Sequence, residues 1–362
     1  SRVVAMLRSP TIRVPQLKQL LSEQRAKPFS GRLRLFDAAY TLGEPANHDE
    51  FWRKNYGCFD ELIARGTHPD FVKERLPGAV HFNLDIASYP GKFARAALYP
   101  PGLFKEYVRK LGVAKGDSVV VYGRGHSGGM LFAARAWWLL KMYGMEDVSV
   151  LEGGLEKWKK EGGKTTSGPD DSDDIMKWKE DFKAEQEEDI RDFLKSNRHE
   201  IEATAGVRIL KPDWEASAFK LDRVVLYEDL MKKGLFEQLD QVNMLDCRPA
   251  EEFFGRKPLA FPPNGAKGAR LPGSKCLPLA AIISPSGELK SAEEIRQVLR
   301  EAGHDPAKPT YTLCNGGTQA ALLGLALEKA GVKWSLYNGS LREVSKRNPA
   351  LISATGEEKK KE

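Results

Sequence analysis

At 362 residues the chain exceeds what one hydrophobic core usually serves, so two domains are expected before any residue is inspected. Its composition, 41% apolar and 29% charged, excludes collagenous, mucin-like and wholly disordered chains. The net charge of +6 is spread along the sequence instead of forming one basic stripe, which argues against a nucleic-acid partner and suits a small anionic substrate equally well.

Cys58, Cys247, Cys276 and Cys314 form no CxxC pair and have no histidines at zinc-ligand spacing. Neither a disulfide scaffold nor a metal site is expected, no cofactor is implied, and thiols this sparse suit a reducing compartment. No apolar run is long enough to cross a bilayer and no secretory leader is recognisable, so no membrane partner is expected. A cytoplasmic location fits these features. Arg2, Arg8, Arg13 and Lys18, ahead of the first acidic residue Glu23, also resemble a mitochondrial presequence. The competing reading makes Thr11 to Val14 an edge strand and Gln16 to Glu23 the first helix.

Taken in chain order, the predicted elements occur twice. The first copy holds the strand Leu33 to Asp37, then Arg75-Leu-Pro-Gly-Ala79 leading into a second strand. The helix Gly102 to Leu111 follows, then the strand Ser118 to Tyr122 running into the glycine-rich Gly123 to Gly129, and then Val148 to Gly154. The second copy holds Val242 to Asp246, Arg270-Leu-Pro-Gly-Ser274, the helix Ser291 to Ala302, the strand Thr310 to Leu313 running into Cys314-Asn-Gly-Gly-Thr-Gln319, and Trp334 to Ser340. Short apolar strands alternating with longer helices predict a parallel sheet with helices on both faces in each copy, an α/β class. The boundaries expected are 11–164 for the first domain, 165–213 for a charged linker or insert, 214–350 for the second domain and 351–362 for a charged tail. An acidic insert of this kind can be a solvated linker or a partner-binding segment.

The candidate site is the order strand, Cys314, Gly316-Gly317, helix. Beyond the carboxyl end of a parallel strand, the next helix presents unpaired backbone N–H groups. Two glycines let several of them turn toward one sulfur atom. That surrounding favours the thiolate and lowers the cysteine pKa below its free value of about 8.5. Against this stands the reading of Cys314 as a small buried residue before a turn, which fits the other three cysteines.

Leu245-Asp-Cys-Arg248, Arg270-Leu-Pro-Gly273, the Cys314 loop and Tyr337-Asn-Gly-Ser340 together resemble the rhodanese superfamily, over nearly the whole chain from about Arg13 to Pro349 apart from the acidic insert. The resemblance implies two tandem rhodanese-like domains acting as a thiosulfate or 3-mercaptopyruvate sulfurtransferase, with a persulfide on Cys314 as intermediate. It implies a first domain that serves as scaffold and closes the cleft, since Gly123 stands where the second copy has Cys314. It also implies a small anionic sulfur donor, a thiol, thioredoxin or cyanide as acceptor, and a cysteine sulfur open at the mouth of an inter-domain crevice.

By the same resemblance Arg248 and Arg256 bind the anionic substrate, although Arg248 could equally be the partner of Asp246 in a structural ion pair. Asn315, Gly316, Gly317, Thr318 and Gln319 form the substrate loop. That loop is neutral and so favours a keto-acid donor over dianionic thiosulfate. Relatives preferring mercaptopyruvate place a hydroxyl residue two positions after the cysteine, supported by a histidine and an aspartate of the first domain. Here Gly316 takes the hydroxyl position, Asp85 matches the aspartate, and no histidine falls in Ala96 to Pro100. Two other readings compete with this one. A phosphatase loop needs an arginine at the sixth position after the cysteine, which is Ala320. A non-catalytic sulfur-carrier, redox or interaction protein would retain the fold and thiol without efficient chemistry.

Overall fold

The computed structural model describes residues 9–26, 32–114, 116–168, 220–259, 261 and 269–352. Nearly all of the expected charged insert and tail lies outside these residues. Apolar runs rich in valine and leucine become β1 (Thr11–Ile12), β2 (Leu33–Asp37), β3 (Ala79–His81), β4 (Ser118–Tyr122) and β5 (Val148–Leu151), which lie in the order β1-β5-β4-β2-β3. The second sheet contains β6 (Val224–Val225), β7 (Asn243–Asp246), β8 (Lys275–Cys276), β9 (Thr310–Leu313) and β10 (Ser335–Tyr337), in the order β6-β10-β9-β7-β8. Counting each set from its own first strand, the two orders are identical, and every pairing within the sheets is parallel. The internal repeat is thus one topology built twice. Thr11 and Ile12 form an edge strand against β5, and the first helix follows at once.

Parallel strands need crossovers, and the longer ones here are helical. α1 (Val14–Ala26), α2 (Pro101–Lys110), α3 (Met130–Met142) and α4 (Gly154–Lys160) belong to the first domain; α5 (Ala292–Glu301), α6 (Thr318–Lys329) and α7 (Ser340–Arg347) belong to the second. Polar and apolar residues segregate on α5, and its start is fixed by Ser291, whose hydroxyl accepts from the Glu294 amide while the Glu294 carboxylate accepts from the Ser291 amide. α3 and α6 differ. Both are apolar on nearly every face and both are buried along almost their full length, as expected of helices with no solvent side.

These two helices occupy equivalent places in the repeat and pack on each other between the sheets. One apolar cluster therefore runs from Phe36 and Val121 through Trp137 and Leu323 to Leu245 and Leu336. The indoles of Trp137 and Trp334 stack across the interface with centroids 6.3 Å apart. Ion pairs clasp its edges: Lys329 Nζ lies 2.7 Å from Glu152 Oε1 and Lys157 Nζ lies 2.6 Å from Glu288 Oε2.

Gly324 in α6 makes room for the Trp334 ring, since a Cβ there would stand 2.0 Å from the ring edge. Gly324→Ala gains about 1 kcal/mol of helix propensity but must displace an indole from a close-packed core, at about 1–3 kcal/mol. The displacement wins, so denaturant unfolding should show a lower midpoint with an unchanged slope.

Candidate active site

β9 is a central strand, flanked by β10 and β7, and its carboxyl end delivers Cys314 to the point where α6 begins. Gly317 caps α6 with φ +91°, a left-handed conformation that a side chain would strain. That turn aims the amides that lead into α6 at the sulfur: the Gly317 N–H donates to Cys314 Sγ at 3.0 Å. Burial pushes the thiol up, yet hydrogen bonds from the Cys247 thiol and from the amides of Ala320, Gly316 and Gly317 outweigh it and bring its pKa from 9.0 down to about 6. Gly316 serves differently from the backbone freedom expected of it. Its φ is not positive; it is small because the side chain of Arg95, from the first domain, packs where a Cβ would be, 3.1 Å from the Arg95 Cδ.

A second layer holds the loop from behind. The Cys314 N–H donates to Ser340 Oγ at 3.2 Å, and Leu341 and Arg342 at the start of α7 donate to the carbonyls of Cys314 and Asn315. Ser340 itself takes a positive φ of 50°, a conformation rare for a non-glycine residue and held by its hydroxyl bond to the Tyr337 carbonyl. Nothing in residue spacing reveals the next contact. Arg135 of α3, 2% exposed, crosses the domain interface, donates to Asn338 Oδ1 at 2.7 Å and to the Gly317 carbonyl at 3.5 Å, and stacks on Trp138. Burial lowers its pKa to about 10, against the attraction of the Cys314 thiolate, and it stays cationic at neutral pH. Asn338 completes the seam by donating to the Ala96 carbonyl of the first domain at 2.8 Å.

The expected site residues fall into three groups. Asn315, Gly316, Gly317, Thr318 and Gln319 surround the start of α6 as expected, with Asn315 Nδ2 bonded to Glu252 Oε2 at 3.0 Å. Arg248 is fully buried and forms the ion pair: Nε and Nη2 reach Asp246, and Nη2 also donates to the Ala269 carbonyl. Its Nη1 is buried with no protein partner, and the Cys314 thiolate contributes to its field. Arg256 is exposed over the ring of Phe254, and none of its described contacts reaches the cysteine loop. Asp85 is exposed and joins the site at one remove, accepting from Tyr40 Oη at 2.8 Å while Tyr40 Oη accepts from Arg95, the residue packed on Gly316.

One expectation is corrected. Cys314 is 1% exposed, so its sulfur is enclosed instead of standing open at a crevice mouth. The reason is the continuous core between the domains, which draws α3 and the Arg95 segment down onto the loop. A cleft of about 330 Å³ does open between the domains, lined among others by His48, Tyr89, Phe93, Asn338 and Arg347, but Cys314 does not line it. In the first domain the equivalent loop is disabled: Gly123 replaces the cysteine, and the next residue, Arg124, is turned onto the buried Asp37 carboxylate. His126 in that loop is exposed. Among the described residues no cluster of histidine, cysteine, aspartate and glutamate could hold a metal, and no helix is long and apolar enough to cross a membrane.

Residues 60–161 and 226–347 both match the family described as Rhodanese-like domain. The chain is 32% identical, over 89% of its length and 90% of the other's, to the Caenorhabditis elegans protein named for a thiosulfate sulfurtransferase, mpst-1. It is 27% identical to human 3-mercaptopyruvate sulfurtransferase, over 77% of this chain and 79% of that one. Its fold is similar to that of the 3-mercaptopyruvate sulfotransferase SseA of Escherichia coli, with a TM-score of 0.60 at 22% identity over 92% of this chain and 98% of that chain.

With a pKa near 6, Cys314 should be largely ionised at neutral pH, and the thiolate ultraviolet absorbance that Cys314→Ser removes should titrate with a midpoint near pH 6. Since the ionised form is the base, the signal must fall as pH drops below that value. Arg135→Met should raise the midpoint and also destabilise the fold by about 1–3 kcal/mol, because Asn338 Oδ1 loses its buried donor. Thermal unfolding and the same titration check both outcomes.

Proposed function

The chain belongs to the rhodanese-like family and is a sulfurtransferase of the 3-mercaptopyruvate or thiosulfate type, and from that premise we propose that Cys314 takes sulfur from 3-mercaptopyruvate as a persulfide and hands it to a thiol, thioredoxin or cyanide. The observation that carries this reading is the convergence of backbone amides on the Cys314 sulfur, which keeps a nucleophile ionised inside an apolar interface. The thiolate attacks the sulfur of the keto acid and forms an S–S bond while the carbon–sulfur bond breaks. The electron pair of that bond becomes the enolate of pyruvate, which takes the proton first carried by the donor thiol. Charge and protons balance without an external acid. With Gly316 at the position of the relay hydroxyl, that proton passes from the donor sulfur to the enolate carbon without a hydroxyl at residue 316. The persulfide anion inherits the amide cradle.

Two features favour the keto acid over thiosulfate. The loop after Cys314 carries no cation, and its first residue, Asn315, is bonded to the carboxylate of Glu252, so a dianion would approach a negative group with no compensating charge in the loop. A monoanionic carboxylate needs less, and the unpartnered Nη1 of Arg248 is a donor of suitable kind. The rival reading, a sulfur carrier without efficient turnover, draws on the enclosure of the sulfur.

Intact mass measured after incubation with 3-mercaptopyruvate should show the gain of one sulfur atom on Cys314, discharged by cyanide as thiocyanate. Cys314→Ser should keep the fold and lose transfer by at least about 1,000-fold, since a serine hydroxyl is a far weaker nucleophile at this pH. Steady-state rates should favour 3-mercaptopyruvate over thiosulfate. A persulfide that forms but is not discharged by any acceptor would support the carrier reading.

A further inference from the structure

The mechanism above uses one thiol, but two lie together at its centre. Cys247 follows β7 and Cys314 follows β9, and these strands are parallel neighbours whose last pair in register is Asp246 with Leu313. One step further along each strand, the two cysteines stand side by side. The backbone continues the ladder there, with the Cys247 N–H donating to the Leu313 carbonyl at 3.1 Å. Neighbouring strands run about 4.8 Å apart, inside the span of about 4.4–6.8 Å between Cα atoms that a disulfide bridges. The Cys247 thiol donates to the Leu313 carbonyl at 3.2 Å, and each thiol shifts the ionisation of the other, as expected of side chains on one face of neighbouring strands. Both residues are 1% exposed.

The pair is asymmetric in a useful sense. Burial and the adjacent Cys314 thiolate keep Cys247 protonated, so at rest only one sulfur is reactive. Cys276 is excluded from the pairing by register, because it lies opposite Asp246 in β8 and not opposite Cys247. Cys58 belongs to the first domain.

We propose that Cys247 and Cys314 form a reversible disulfide when a peroxide reaches the site, so that Cys247 protects the sulfur-carrying cysteine from irreversible oxidation. The inference rests on the reading of Cys314 as a reactive thiolate. In the first step the thiolate gives two electrons to the O–O bond, forming a sulfenic acid on Cys314 and releasing hydroxide. In the second, the Cys247 thiol forms the S–S bond and the sulfenic oxygen leaves as water. A dithiol reductant then returns both thiols and is itself oxidised to a disulfide. Hydrogen peroxide is smaller than a keto acid, so whatever path admits the donor admits the oxidant.

The test treats the full-length protein with hydrogen peroxide, maps its cysteines by peptide mass, and then adds dithiothreitol and measures sulfur transfer relative to each untreated sample. In the wild type, a Cys247–Cys314 linked peptide should appear and activity should be lost and then recovered. In Cys247→Ala, Cys314 should advance to the sulfinic and sulfonic acids, and dithiol recovery should fall by on the order of tenfold. Sulfinic acid on Cys314 in the wild type without the linked peptide, or equal recovery in the variant, would overturn the proposal. The untreated wild type, loaded with 3-mercaptopyruvate, tests the reading beneath it separately: a persulfide without the disulfide removes only this inference, whereas no persulfide removes both.

Discussion

The structure depends on a contest at one sulfur atom. Enclosing Cys314 in an apolar interface favours its neutral thiol, and the directed dipoles of the Gly316, Gly317 and Ala320 amides together with the Cys247 side chain reverse that preference. A pKa of about 6 in place of 9.0 corresponds to a net bias on the order of 4 kcal/mol toward the anion. Exposed to water, the same amides would gain less per hydrogen bond, because a high dielectric weakens each of them. Burial therefore opposes ionisation directly and strengthens the interactions that produce it. The left-handed turn at Gly317 is the backbone condition for this outcome, since it lets the loop reverse onto the sulfur while α6 begins.

The first domain explains how such a site is kept closed. Its own loop lacks a cysteine, and Arg124 there is paired with the buried Asp37 carboxylate. What that domain supplies is a wall. α3 gives the apolar face that meets α6, Arg135 pins Asn338 and Gly317, and Arg95 covers Gly316. Reciprocal traffic occurs at the opposite edge, where Lys329 of α6 reaches Glu152 after β5. Each of the two interface helices thus sends a cation to the loop that follows the last strand of the other domain. Such contacts fix the relative placement of the halves, a task that apolar packing alone performs with less geometric precision.

Much of this was legible in the residues. Landmarks repeated in the same order announced the doubled topology, and a strand running into Cys314, two glycines and an apolar helix announced a sulfur cradle. Both are local patterns, written within a few consecutive positions. What stayed hidden depends on residues distant in sequence. Arg135 lies within an apolar helical run, and its reach to Asn338 exists only after two domains dock. Arg248 carried two readings because a motif gives an arginine's place but not the number of its donors already engaged; the structure shows Nε and Nη2 committed to Asp246 and Ala269. Gly316 was expected to free the backbone, yet its φ is not positive and the stem of Arg95 packs close against it, a contact that sequence does not encode. Cys247 looked like filler because strand register, not spacing, sets it beside Cys314.

Enclosure also ranks the ways in which the site can open. On one side Arg135, Asn338 and the Gly317 carbonyl are held by buried hydrogen bonds, and separating them strands polar atoms away from water at about 1–3 kcal/mol each. On the other, Arg95 is half-buried and bonds to the Gly43 carbonyl and to Tyr40, groups that water can reach. Breaking such contacts costs only their net worth, about 0.5–1.5 kcal/mol apiece, because solvent replaces the lost partner. The Arg95 side is therefore the softer wall. It is also the side on which Gly316 has no side chain of its own, so the stem of that one arginine packs directly against the loop after the cysteine. A side chain at position 316 would press on that arginine, its Cβ standing 3.1 Å from the Arg95 Cδ. This chain keeps the arginine, and with it a site that must move its cover before a donor can meet the thiolate.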